Sequence, residues 1–172
     1  MTRSPSNEAT LNSALAHALQ NNREFALWFL MQTRFAAEEA QCIEVRADNP
    51  WSRVTLRVPV GLDGAVEEIV RDAETDVLAI FLTTDGRRLA LHIENKLQGG
   101  VFTPHQPQAY RERLGQWRER PKLGMYIDAT SVLISPRAFY ERNKDGAQVF
   151  EAFVSHEALA EYLPAFVSDS AA

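Results

Sequence analysis

The stretch Asp76-Val-Leu-Ala-Ile-Phe-Leu-Thr-Thr-Asp-Gly-Arg-Arg-Leu-Ala-Leu-His-Ile-Glu-Asn-Lys96 decides the fold. Its two halves, Asp76 to Thr84 and Arg87 to Glu94, are apolar at successive positions, as strands buried on both faces of a sheet must be. Asp85-Gly86 between them marks a tight hairpin turn. The length of that turn decides which side chains meet. A two-residue loop, Asp85-Gly86, pairs Asp76 with Asn95 and sends Asp76 and Glu94 to different faces. A three-residue loop, Thr84-Asp85-Gly86, puts Gly86 in the left-handed position of a type I turn with a G1 bulge and sets Asp76 opposite Glu94. The second register is the one expected here. It makes Asp76, Glu94 and Lys96 converge on one face at the open end of the hairpin, with the two carboxylates about 5 Å apart at Cβ.

Upstream, Leu11, Ala14, Leu15, Ala18 and Leu19 recur at helical spacing behind the candidate N-caps Ser6 and Asn7. Asn21-Asn22 interrupts the pattern, and Phe25, Trp28, Phe29 and Met31 carry it on to about Ala37, giving two helices or one bent one. From Cys42 the texture changes to β-branched alternation: Ile43 and Val45, then Val54, Leu56, Val58 and Val60. Two strands or a ragged hairpin are expected there, ending at Gly61-Leu62-Asp63-Gly64. Downstream of Gly99-Gly100 a helix is expected from about Pro104 to Arg120, closed by Pro121. Ser131 to Ser135 and Val149 to Val154 read as strands, and His156 to Tyr162 as a short closing helix. Helices, then a hairpin-rich sheet, then helix and strand again predict an α/β fold with a central mixed sheet flanked by helices.

The chain has 172 residues, 45% hydrophobic and 24% charged, which suits one globular domain spanning residues 1–172. No apolar run reaches the roughly 18 residues of a membrane span. The opening Met-Thr-Arg-Ser-Pro-Ser lacks the apolar core of a signal peptide, so a soluble cytoplasmic protein without membrane contact is expected. The single cysteine, Cys42, excludes an internal disulfide or cysteine-cluster zinc site and reads as a small buried apolar residue. The net charge of -5 argues against non-specific coating of nucleic acid. That charge is unevenly spread, however: residues 103–144 hold 8 Lys+Arg against 4 Asp+Glu, an excess of +4. A basic segment beside an acidic cluster suits a polyanion held over bound cations, although the same arginines also fit a solvated helix face.

Two adjacent carboxylates at the end of apolar strands repel each other, and a divalent cation resolves the conflict. Mg²⁺, with Mn²⁺ as a substitute, prefers oxygen ligands and keeps several waters. Asp76, Glu94, the carbonyl of Asn95 and the oxygens of a substrate phosphate would suit it. Lys96 would orient or help deprotonate the attacking water. The alternative for the same residues is a buried salt bridge between Lys96 and Glu94.

At these residues the chain resembles the PD-(D/E)xK nuclease superfamily, in the order of its elements from the first helix to about Ser135. The resemblance implies a three-layer restriction-endonuclease-like core, αβββαβ. It matches Asp76 to the metal-binding aspartate and Glu94 and Lys96 to the ExK pair, with Thr75 where the family often has proline. Gln106-Pro-Gln-Ala-Tyr110 fits the Q-x-x-x-Y signature of RecB-like branches, whose two side chains lie one turn apart on one helical face. The resemblance gives Gln106 a phosphate to hold and Tyr110 a stacking or hydrogen-bonding role. The alternative for Tyr110 is a core aromatic shared with Trp117. It also proposes Glu8, on the face of Leu11, Asn12 and Leu15, as a first-helix metal ligand, although the helix dipole favours a carboxylate there regardless.

Arg111, Arg113, Arg118, Arg120 and Lys122 are the candidate phosphate contacts, with Arg113 closest in phase to Gln106 and Tyr110. Glu74 would replace Asp76 in the other register, and His92 reads as a core histidine. The function implied is metal-dependent hydrolysis of phosphodiester bonds in DNA, with a homodimer favoured for cutting both strands of a duplex. The alternatives are a catalytically silent module of the same fold that binds nucleic acid or a protein, and an unrelated α/β protein. The latter, with a fortuitous motif, is favoured if Asp76 and Glu94 lie on opposite faces. The chain carries no G-x-S-x-G elbow, no Gly-Lys-Ser/Thr phosphate loop and no H-E-x-x-H zinc helix.

Overall fold

In the computed structural model, which describes residues 7–168, helix α1 runs Glu8–Asn21 and α2 runs Arg23–Met31. Asn7 caps α1, its side-chain oxygen accepting the Thr10 N–H at 2.8 Å. Ser6, the other candidate cap, lies outside the described residues. Asn22 both ends α1 and starts α2. Its N–H donates to the Ala18 carbonyl, and its Oδ1 accepts the Phe25 N–H at 3.1 Å. The interruption therefore yields two helices, and the second stops at Met31 instead of near Ala37.

The stretch from Cys42 to Val60 gives the first of the two expected alternatives, two strands, β1 (Ala40–Arg46) and β2 (Trp51–Val60), which do not pair with each other as a hairpin. β2 pairs with β3 (Ala65–Glu74), a strand the sequence reading did not anticipate, in a separate two-stranded sheet. β1 instead runs antiparallel to β4 (Val77–Thr83), with a register shift between Cys42 and Glu44.

β4 and β5 (Arg88–Asn95) form the central hairpin, paired from Val77↔Ile93 to Leu82↔Arg88. The Thr83 N–H donates to the Arg87 carbonyl, the Gly86 N–H donates to the Thr83 carbonyl, and Gly86 has φ +85. The loop is thus the three-residue Thr84-Asp85-Gly86 turn, and one further step along the ladder sets Asp76 across from Glu94.

After β5, helix α3 (Gln106–Gln116) leads to β6 (Asp128–Ser135), which is parallel to β5. Two short helices not anticipated from sequence, α4 (Arg137–Arg142) and α5 (Lys144–Ala147), precede β7 (Ala152–Ser155), parallel to β6. Helix α6 (His156–Leu159) follows. Among the described residues the main sheet has five strands, ordered β1-β4-β5-β6-β7, and the fold is mixed α/β.

Helices cover both faces of this sheet. Val77, Ala79, Phe81, Leu91 and Ile93 pack with Leu11, Leu15, Phe25 and Phe29 of α1 and α2. Leu78, Ile80 and Ala90 pack on the other side with Ala109, Trp117 and the hairpin residues Val54 and Leu56. Each large side chain so buried contributes roughly 1.5–3 kcal/mol. The hairpin is fastened to the end of α3. Gln116 bonds both the N–H and the carbonyl of Thr55, at 2.8 and 2.9 Å, and Trp117 Nε1 donates to the Arg53 carbonyl at 2.9 Å. The outer edge of β2 is thereby blunted. No helix among the described residues is long and apolar enough to cross a membrane.

Candidate functional site

The ends of β4 and β5 open into a cleft of about 240 Å³, walled by β3 from Arg71 to Glu74 and by Gln106, Ala109, Tyr110 and Arg113 of α3. Asp76 and Glu94 line it together. The backbone N–H of Asn95 donates to Asp76 Oδ2 at 2.8 Å. Glu94 is almost fully buried, and its Oε1 takes two donors, Lys96 Nζ and Gln106 Nε2, each at 2.7 Å. Gln106 is oriented in turn by its own Oε1, which accepts the Thr103 N–H at 3.1 Å. The salt bridge considered from sequence therefore exists, and it lies beside the cleft.

Glu8 joins this group from the first turn of α1. Among the described residues, one oxygen from each of Glu8, Asp76 and Glu94 lies within 4.8 Å of the other two. Burial, reinforced by the neighbouring Glu94 charge, pushes the Asp76 carboxyl up to about 8, against the pull of the Asn95 N–H and Lys96. Burial also raises Glu8, while Lys96 opposes the shift.

Several sequence expectations change. Arg113 shares the helical phase of Gln106 and Tyr110, yet it is fully buried and is not an exposed phosphate contact. Its guanidinium lies 3.4 Å from the Tyr110 ring centroid and 4.8 Å from that of Trp117, and Nη1 donates to the Glu74 carbonyl. Tyr110 is 1% exposed, so it cannot stack on a base. Its hydroxyl accepts the Asp76 N–H at 3.3 Å and donates to the Ile93 carbonyl at 3.4 Å, and its ring packs 5.1 Å from Phe150.

Arg111 is exposed and pairs with Glu112 at 3.3 Å, outside the cleft lining. Arg118 and Arg120 are spent on the Ile127 carbonyl and Ser52, and Lys122 is exposed. Glu74 ends β3 opposite Trp51 and does not replace Asp76. His92 is a core histidine, its Nε2 2.9 Å from the Tyr126 hydroxyl and its basicity suppressed by burial. Cys42 is half-buried, and burial pushes its thiol up to about 12.

Asn95 points its side chain away from Glu94 and Lys96, as strand alternation requires. Its Nδ2 donates to Asn12 Oδ1 at 2.8 Å, and its Oδ1 lies 2.8 Å from His156 Nε2. That side chain is therefore no metal ligand, which leaves the carbonyl considered from sequence. Asn12 and His156 were not singled out for any role, because nothing in their local sequence marks a contact across 61 or more residues. Arg71 was missed too. It lines the cleft from β3 and donates to the Pro104 carbonyl.

Compared with family models, with curated proteins and with solved structures, the chain matches none.

Proposed function

We propose that this chain is a metal-dependent nuclease of the PD-(D/E)xK kind, hydrolysing phosphodiester bonds in DNA with Mg²⁺, for which Mn²⁺ can substitute. The observation that carries this reading is the meeting of Asp76 and Glu94 in one cleft, with Lys96 paired to Glu94 beside it and Glu8 close to both carboxylates. The element order supports it as well: α1, then β1, β4 and β5, then α3 and β6 follow the αβββαβ order of a restriction-endonuclease-like core, with the β2–β3 hairpin inserted after β1.

The donor set fits the ion. Glu8, Asp76 and Glu94 offer only carboxylate oxygens, the ligands a hard divalent cation prefers, with the Asn95 carbonyl as a further candidate. Burial and mutual repulsion raise Asp76 and Glu8, and a cation favours their ionised forms. Such an ion, when bound, acidifies a water and offsets charge on the phosphate oxygens.

The chain's own groups supply the rest. Lys96 Nζ, fixed on Glu94 Oε1 at the cleft, donates to and orients the attacking water and offsets charge on the phosphate. Gln106 Nε2 holds Glu94 in place and can donate to a phosphate oxygen. The Asn95 N–H fixes Asp76 Oδ2. Tyr110 and Arg113 brace the strand end from beneath.

The nearly closed Lys96–Glu94 pair favours a second reading, a catalytically silent module of this fold that binds nucleic acid or a protein. A Mg²⁺-dependent cleavage assay on single-stranded, linear duplex and supercoiled DNA separates the two, using the wild type and Glu94→Ala. Cleavage by the wild type and its loss in the variant are expected. Equal cleavage by both removes this active site, and no cleavage of any form favours the silent module.

A further inference from the structure

Beneath the acidic cleft, on the opposite face of β5, three polar side chains are shut away from water: Asn12 at 7%, Asn95 at 0% and His156 at 1% exposure. Asn95 sits between them. Its Nδ2 faces an acceptor, Asn12 Oδ1, so its Oδ1 faces His156, which must donate through a protonated Nε2. Each member comes from a different element: α1, the end of β5 and α6.

Two of these elements carry the residues of the cleft. Asn95 lies between Glu94 and Lys96, and its backbone N–H holds Asp76 Oδ2. Asn12 lies one helical turn after Glu8, on the same face of α1. The buried apolar residues of α1 around Asn12 are Leu11, Leu15 and Leu19, whose packing is non-directional. A hydrogen bond between two buried amides is directional, and displacement leaves both groups unpaired.

We infer that Asn12, Asn95 and His156 act as a positioning triad that fixes the first turn of α1 against β5, and so holds Glu8 at the distance from Asp76 and Glu94 that a shared divalent cation needs. This deepens the nuclease reading and rests on it. None of the three touches the cation through its side chain. Asn12 acts through Glu8, and His156 acts through Asn95.

The test is Mn²⁺ affinity of the full chain, measured by the loss of the free-ion EPR signal, for wild type, Asn12→Ala, Glu8→Gln and the double variant. Asn12→Ala is expected to weaken binding about tenfold, the size typical of lost support behind a ligand. The double variant is expected to bind no more weakly than Glu8→Gln alone, because the effect of Asn12 passes through that carboxylate. Full additivity, or an unchanged affinity in Asn12→Ala, overturns the triad.

If Asn12→Ala loses its fold by circular dichroism, His156→Leu and His156→Gln carry the comparison. The glutamine, which keeps a donor toward Asn95 Oδ1, is expected within about twofold of wild type, and the leucine about tenfold weaker. Equal affinity for both overturns the triad. Absence of Mn²⁺ binding by the wild type sinks the metal reading and this inference with it, whereas wild-type binding with no response to Asn12 or His156 sinks the inference alone.

Discussion

The backbone N–H of Asn95 donates to Asp76 Oδ2 at 2.8 Å, yet that bond does not keep the Asp76 carboxyl acidic. Burial and the nearby Glu94 outweigh it and push Asp76 from 3.8 up to about 8. Between these values the folded chain holds a proton that the unfolded chain releases. The group's contribution to stability is therefore full below about 4 and is lost as pH rises toward 8. In EDTA, Asp76→Asn is expected to gain melting temperature relative to wild type as pH goes from 5 to 8.5. Mn²⁺ affinity of the wild type is expected to climb up to about tenfold per pH unit over the same range, because the ion displaces that proton. A melting difference that does not change with pH would place the Asp76 pKa outside this window.

The register that creates this site depends on a turn. At φ +85, Gly86 occupies backbone space that a Cβ disfavours, although nothing lies within 4 Å of where one would be. Gly86→Ala is expected to cost about 1 kcal/mol through backbone strain alone. Mn²⁺ affinity is expected to stay unchanged, since a slip by one residue would turn Val77, Ala79, Ile93 and their neighbours out of the core. Urea unfolding with parallel Mn²⁺ titration checks both. A lost site in a folded variant would mean that the turn, not the core, holds the register.

That hairpin was legible because turn chemistry and two-faced apolar strands pointed the same way. β3 was not. Its sequence, Ala-Val-Glu-Glu-Ile-Val-Arg-Asp-Ala-Glu, shows little alternation, because the β2–β3 hairpin stands off the main sheet and much of its surface meets no core. Missing β3 hid the depth of α3. The helical phase of Arg113 could be read correctly, but only the hairpin covering α3 decides that this phase is buried. Asn95 was legible as a neighbour of Glu94 and Lys96. Its tie to Asn12 and His156 joins residues 61 and 83 positions away, beyond the reach of local pattern.

Burial pushes the His156 imidazole from 6.5 down to about 4, with Glu157 opposing. The unfolded chain then binds a proton that the folded chain refuses, so stability is full above about 6.5 and falls as pH drops toward 4. His92, held neutral by burial, acts in the same direction. His156→Gln is expected to retain more of its urea midpoint than wild type when pH goes from 7.5 to 4.5. An identical loss in both proteins would show that His156 titrates normally in the folded chain.

Arg71 and Arg113 line the same cleft, and their environments assign them opposite roles. Arg113 is enclosed between Tyr110 and Trp117 and holds the Glu74 carbonyl, whereas Arg71 is only half-buried on β3, with no ion pair among the described residues. Of the two arginines that line the cleft, Arg71 is the partly exposed one, and on the proposed nuclease reading it is the phosphate contact. Arg71→Ala is expected to weaken DNA binding and lower the slope of log affinity against log salt by about 1, with stability changed by less than about 0.5 kcal/mol. Arg113→Ala is expected to cost on the order of 3 kcal/mol of stability, through the cavity and the lost ring contacts, and to leave the salt slope alone. Filter binding across a salt series and urea unfolding measure the two quantities independently. A salt slope that falls with Arg113→Ala and not with Arg71→Ala would mean that the cleft opens to expose the buried guanidinium when DNA binds.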